Sequence, residues 1–168
     1  MQTIPSLAKD FLSQKTIAVV GISSSRQTVG NGVYKKLKQG HHTVYAVGKH
    51  TTSFESDRCY ADLSSLPTPV DGVFIAVKPE QSEEVVEECV RLGIRRVWMH
   101  CMGGTSTASK LNHGSRSTSV SSKAVQICRD NNIAVIPGAC PMMFVEDADF
   151  FHRLIRRFHS LTGRLRIV

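Results

Sequence analysis

The chain has 168 residues, a formal net charge of +7 and five cysteines. That length suits one domain over residues 1–168 with a sizeable core, and no apolar run is long enough to span a bilayer. The cysteines (Cys59, Cys89, Cys101, Cys128, Cys140) are odd in number, widely spaced and without a CxxC pair, which speaks against a disulfide framework and a zinc knuckle.

Residues 1–7 lack the charged and apolar regions of a secretory signal, so a cytoplasmic location is expected. The first 15 residues supply a short amphipathic helix, with Leu7, Phe11 and Leu12 at helical spacing behind Pro5 and Ser6. Residues 16–21 are apolar and β-branched, as in a parallel strand covered on both faces. A helix over 28–39 places Val29, Val33 and Leu37 on one face and stops at Gly40. Residues 42–47 form a second strand, followed by a polar connection from 48 to 66 that carries Cys59-Tyr60 and ends at Pro67.

The third strand is 72–77. Pro79 then opens a helix with Val85, Cys89 and Val90 as its inner stripe; Glu80, Glu83, Glu84, Glu87 and Glu88 read as a solvated face that complements the helix dipole. Residues 96–99 are the fourth strand. Residues 103–122, rich in Ser, Thr and Gly, read as a long flexible loop. Residues 123–131 return to helix, and 133–136 form a fifth strand broken by Pro137-Gly138. Residues 145–168 hold an amphipathic helix over 147–161, with Phe151, Leu154, Ile155 and Phe158 on one side, and a basic tail. Strands and helices alternate, which predicts an α/β, Rossmann-like, doubly wound parallel sheet of about five strands in three layers.

The stretch from Ile17 to Gly30 organises the rest. A strand ends at Gly21, passes Ser23, Ser24, Ser25 and Arg26, and enters a helix near Gly30, so hydroxyls, a cation and free N–H groups gather at a helix N-terminus. That is a phosphate loop by its chemistry; a simple capped turn is the plainer alternative. Two features depart from a standard NAD site. The loop lacks GxGxxG, and the second strand ends in Gly48-Lys49-His50 where an acidic residue would hold a ribose hydroxyl. A lysine there favours a phosphorylated ribose, which coenzyme A and NADP both carry.

Several short motifs, in order, match one known family: Ile17-Ala18-Val19-Val20-Gly21-Ile22-Ser23, Cys59-Tyr60-Ala61-Asp62-Leu63 before Leu66-Pro67, and Val70-Asp71-Gly72-Val73. Val77-Lys78-Pro79 leading into Val85-Val86-Glu87-Glu88, Val97-Trp98 and Cys140-Pro141 complete the set. On these the chain resembles the small coenzyme A-binding proteins, similar to the N-terminal domain of the succinyl-coenzyme A synthetase α subunit. The resemblance implies that residues 21–26 hold the coenzyme A phosphates, that Lys49 reaches the adenosine end, and that Lys78, Pro79 and Gly103 border the cofactor. The second domain of those synthetases, with its phosphorylated histidine, has no room here. The loop over 103–122 is longer than the family pattern, and the tail after Met143 matches none of its motifs.

The expected function is non-catalytic binding of coenzyme A or an acyl-coenzyme A, as a carrier or sensor. An NADP-dependent oxidoreductase is the enzyme alternative, though no Tyr-x-x-x-Lys arrangement is visible. Nucleic-acid binding is the third reading, and it is disfavoured because aromatic residues are not interleaved with the basic ones. Cys101 and Cys140 lie at strand ends, where a mixed disulfide with a coenzyme A thiol competes with a plain structural role. His100 and His113 have metal-ligand chemistry but no recognisable spacing. The apolar stripe of the last segment would suit a homodimer. No catalytic residue is assigned.

Overall fold

The computed structural model describes residues 3–102 and 118–145. Their elements are α1 (Ile4–Leu12), β1 (Thr16–Val20), α2 (Val29–Lys38), β2 (Thr43–Val47), β3 (Ser53–Phe54), β4 (Asp57–Tyr60), β5 (Gly72–Ile75), α3 (Pro79–Arg91), β6 (Arg96–Met99), α4 (Ser122–Asp130) and β7 (Ala134–Pro137), with a 3₁₀ turn at Pro141–Met143.

The strands form one sheet in the order β3-β4-β2-β1-β5-β6-β7. All neighbouring pairs are parallel except β3 with β4. The six parallel strands therefore run third, second, first, fourth, fifth, sixth along the chain, the doubly wound order in which ligands sit beyond the carboxyl ends where the winding reverses. Here that reversal falls between β1 and β5.

Strand alternation sorts the core into two layers. Ile17 and Val19 of β1, with Phe74, Trp98 and Ile136, face α1 and α2, where Phe11, Val33, Tyr34 and Leu37 meet them. Ala18 and Val20, with Val73, Ile75, Val97 and Met99, face α3 and α4 and pack on Val86, Cys89, Ala124 and Cys128. Phe11 meets Trp98 edge to face, ring centres 5.4 Å apart, and the Trp98 indole donates to the carbonyls of Gly138 and Ala139. Burying that ring costs no unmet donor, so it anchors α1 across the sheet.

The five expected strands are present, but the sheet has seven. The connection over 48–66 contains the β3–β4 hairpin, whose strands are too short and too mixed in polarity for period-two alternation to reveal them. Its two-residue turn places Glu55 and Ser56 at φ 50° and 68°, without the Gly or Asn that usually marks such a turn. On α2, Val29 is 41% exposed rather than part of the inner face; Tyr34 and Asn31 are buried in its stead. On α3 the buried stripe runs through Ser82, Val86 and Cys89, with Val85 and Val90 only flanking it.

The glutamates of α3 are more than a solvated face. Glu83 accepts from Ser121 Oγ at 2.6 Å and pairs with Lys123 at 3.2 Å, and Glu88 accepts from the backbone and hydroxyl of Ser64. They tie α3 to α4 and to the 61–71 connection. The end of the expected long loop is also ordered: Ser119 N–H donates to the His100 carbonyl at 2.7 Å, and Thr118 bridges to Cys101. The rest of that loop, and the segment with Phe151, Leu154, Ile155, Phe158 and the tail arginines, lie outside the described residues.

Candidate functional site

The β1–α2 loop is shaped from within. Gly21 sits at φ 109°, and a Cβ there would lie 2.4 Å from the Ala76 carbonyl oxygen at the end of β5. A Cβ on Gly30 would lie 2.9 Å from the Gly21 carbonyl oxygen. The first turn of α2 thus rides directly on the strand ends, with no room for side chains between them. The chain does by this pair, nine residues apart, what a compact GxGxxG does elsewhere.

Asn31 is the hub of the loop and is 2% exposed. Its Oδ1 accepts from Ser23 N–H at 3.1 Å, and its Nδ2 donates to the carbonyls of Ser23 at 2.8 Å and Arg26 at 3.1 Å. Thr28 caps α2: its hydroxyl accepts from Asn31 N–H at 3.1 Å and faces the Gly21 carbonyl and Asn31 Oδ1, both at 2.9 Å. Among the described residues, the Val29 and Gly30 N–H groups, the first two donors of the helix, make no backbone hydrogen bond. Those donors and the helix dipole make this end attractive to an anion. Sequence reasoning missed Asn31 and Thr28; the Thr-x-x-Asn spacing at a helix start was the available signal.

Residues 23–27, with Asn31 and Lys35 of α2 and Ser53, Phe54 and Glu55 of the hairpin, line a cleft of about 510 Å³. That volume lies in the usual range for small-molecule sites, about 300–1,000 Å³. Ser23, Ser24, Ser25 and Arg26 therefore come together as expected, and Arg26 is exposed at the loop tip. Lys35, Phe54 and Glu55 join them although the sequence did not point to them.

The other expected residues sit across the crevice. Gly48 is buried at the end of β2, its N–H donating to Tyr60 O at 2.8 Å. Lys49 follows it, 61% exposed, with its ammonium 3.0 Å from Glu84 of α3. Lys78 is exposed and precedes α3, its N–H donating to Gln81 Oε1 at 3.4 Å, and Pro79 is buried as the first residue of that helix. None of these four lines the 510 Å³ cleft. Gly103 and His113 lie outside the described residues.

Cys101 and Cys140 are buried without a disulfide. The bridge between Cys101 and Ala139 sets their backbones side by side. His100, at the end of β6, is 4% exposed, packs its ring against Phe74 and, among the described residues, leaves Nε2 without a hydrogen-bond partner. Burial in that apolar setting lowers its pKa to about 4, so the imidazole is neutral at physiological pH.

A family model described as CoA binding domain matches residues 15–146. Among curated proteins, the chain is 35% identical over 77 residues to the ADP-forming acetate–CoA ligase I of Archaeoglobus fulgidus, covering 46% of this chain and 11% of the ligase. It is 30% identical over 88 residues to the ADP-forming 4-hydroxybutyrate–CoA ligase of Nitrosopumilus maritimus, covering 52% of this chain and 13% of that enzyme. The chain thus spans a small part of the ligases it matches. Among solved structures, a hypothetical protein from Pyrococcus horikoshii superposes with a TM-score of 0.68 at 23% identity, over 88% of this chain and 96% of that one. The dinucleotide-forming acetyl-coenzyme A synthetase 1 of Ca. Korarchaeum cryptofilum superposes with a TM-score of 0.55 at 20% identity, over 72% of this chain and 25% of that one. These two likenesses concern the fold.

Proposed function

The chain belongs to the CoA binding domain family, and from that premise we propose that it is a binding module for coenzyme A or an acyl-coenzyme A, with no bond-making chemistry of its own. The observation that carries this reading is the β1–α2 loop: Asn31 and Thr28 brace it so that Ser23, Ser24, Ser25 and Arg26 line a cleft at the start of α2. The cofactor pyrophosphate would meet the Val29 and Gly30 N–H groups, the serine hydroxyls and the Arg26 guanidinium. The adenosine end would lie towards the hairpin wall of the cleft, where Phe54 offers an aromatic surface. Gly21 and Gly30 shape this loop, Gly48 supports it from β2, and Lys78, Pro79, Gly103 and Cys140 belong to the course of the pantetheine arm in the same proposal. A cytoplasmic location goes with it; among the described residues no helix is long and apolar enough to cross a membrane.

Isothermal titration tests the reading. Saturable one-to-one binding of coenzyme A is expected, and no heat with coenzyme A would contradict it. NADP and nucleic acid gain no supporting observation from the cleft or the relatives.

The match to ADP-forming ligases favours a second reading, in which the module hands coenzyme A to ligase chemistry carried by other domains. Incubating this chain alone with acetate, coenzyme A and ATP should yield no acetyl-coenzyme A; turnover would show that the chain has a catalytic centre of its own.

A further inference from the structure

The carboxyl ends of the strands form a floor beside the phosphate loop. Val47, Val20, Ile75, Met99 and Pro137 pair in register across β2, β1, β5, β6 and β7. The residues one step further on, Gly48, Gly21, Ala76, His100 and Gly138, therefore stand in a row. The ladder reaches them: the N–H groups of Gly21, Ala76, His100 and Gly138 donate to the carbonyls of Val47, Val20, Ile75 and Met99 at 2.8 to 3.0 Å. Val19, Phe74, Trp98 and Ile136, two residues earlier on their strands, face α1 and α2, so the row presents its side chains to that same layer. Glycine and alanine leave the floor low, and His100 is the one large side chain on it.

His100 is 4% exposed, and among the described residues its Nε2 is shut off from water with no partner. The Trp98 indole, one pleat below, does find acceptors in the Gly138 and Ala139 carbonyls. A buried polar atom left unmatched costs stability, and the Phe74 ring packed against the imidazole offers it nothing. Burial keeps that imidazole uncharged at neutral pH, so its nitrogens present one donor and one acceptor. An amide carries both and answers either tautomer, whereas a phosphate would find no cation there.

The geometry points to His100 as the residue that recognises the pantetheine arm of the bound cofactor, its imidazole pairing with an amide of that arm as the arm crosses the floor from the start of α2. This rests on the coenzyme A reading above and adds its specificity: the ligand class is a nucleoside diphosphate that carries an uncharged amide chain. The first turn of α2 stands directly over Gly21, and β6 lies two strand spacings from β1, about 10 Å away. Phosphates held at that turn do not reach so far, but a chain of two amides does. Since Nε2 is covered in this structure, the arm takes the place of what closes over it.

The test is a set of titrations with coenzyme A and with 3′-phosphoadenosine 5′-diphosphate, which is the same nucleotide without the arm. The wild-type protein should prefer coenzyme A by about tenfold or more. His100→Phe should weaken coenzyme A by about tenfold and leave the armless nucleotide unchanged, while His100→Gln, whose amide also donates and accepts, should keep most of the affinity. An arm that needs no variant follows the His100 imidazole nitrogens by NMR in the wild-type protein: coenzyme A should shift them and the armless nucleotide should not. The inference is overturned if His100→Phe binds coenzyme A as wild type does, the result expected where only a trapped water meets Nε2. It is overturned equally if both nucleotides weaken together, if the wild type does not distinguish them, or if coenzyme A leaves the imidazole signals in place. Wild-type protein that binds neither nucleotide would instead overturn the coenzyme A reading itself, before any variant is compared.

Discussion

Helices α2 and α3 start at corresponding places on either side of the winding reversal, yet their first turns are electrostatic opposites. The first turn of α2 has no acidic residue, and its basic residues (Lys35, Lys36, Lys38) lie in the last turn. The first turn of α3 carries Glu80, and Glu83 and Glu84 follow at once. A carboxylate beside a helix N-terminus already complements its dipole and repels a second anion. The two-sided crevice is therefore a property of the topology, while the choice of side is a property of a few charged residues.

Breaking the α2 side at its base should have the largest effect. Gly21→Ala sets a Cβ 2.4 Å from a backbone oxygen at a left-handed φ, and a loss of about 3 kcal/mol is expected in urea unfolding. A wild-type midpoint would show that α2 does not rest on the strand ends as described.

Acid separates the two faces next. His100 packs with Phe74 on the α2 face, and its pKa falls from 6.5 to about 4 through burial. The unfolded chain binds a proton that the folded one refuses, so the stability is full above pH 6.5 and is lost as pH falls towards 4. The loss amounts to about 3 kcal/mol by linkage. His100→Phe should flatten that slope. On the α3 face burial pushes the thiols of Cys89 and Cys128 up, the latter to about 12, so those two groups cost stability in alkali rather than in acid, as pH rises past the ordinary thiol value of 9. An unchanged acid slope in His100→Phe would remove the distinction.

Asn31→Ala should cost about 2 kcal/mol, because the backbone groups of Ser23 and Arg26 lose their buried partner, and should weaken coenzyme A by about tenfold through the collapsed loop. The smallest and sharpest change is a charge placed to imitate α3. Val29 is exposed, so Val29→Glu should leave the melting temperature unaltered or slightly raised while weakening coenzyme A by about fivefold at low salt. Glu80→Gln on α3 should leave coenzyme A affinity unchanged. Equal effects from the two would abolish the asymmetry.

What could be read in advance follows the same division. The β1 run and the Gly-Ile-Ser-Ser-Ser-Arg loop were legible because a continuous apolar strand feeding a capped helix is a local pattern. The outer wall of the cleft was not. Ser53-Phe54 and Asp57-Arg58-Cys59-Tyr60 are too short for periodicity, and Glu55-Ser56 adopts a turn usually marked by Gly or Asn. Lys35 and Glu55 meet only because that hidden hairpin folds back onto α2. Asn31 escaped notice since a polar residue inside a helical pattern reads as surface. The α3 glutamates misled in the opposite direction, since their partners Lys49, Ser64 and Lys123 come from three separate segments.

The most direct test follows backbone amide signals by NMR as coenzyme A is added. The largest shifts should fall on residues 23–30, with Val29 and Gly30 foremost, while residues 79–82 at the start of α3 stay nearly still. Shifts concentrated on residues 79–82, with the α2 loop unmoved, would contradict the account.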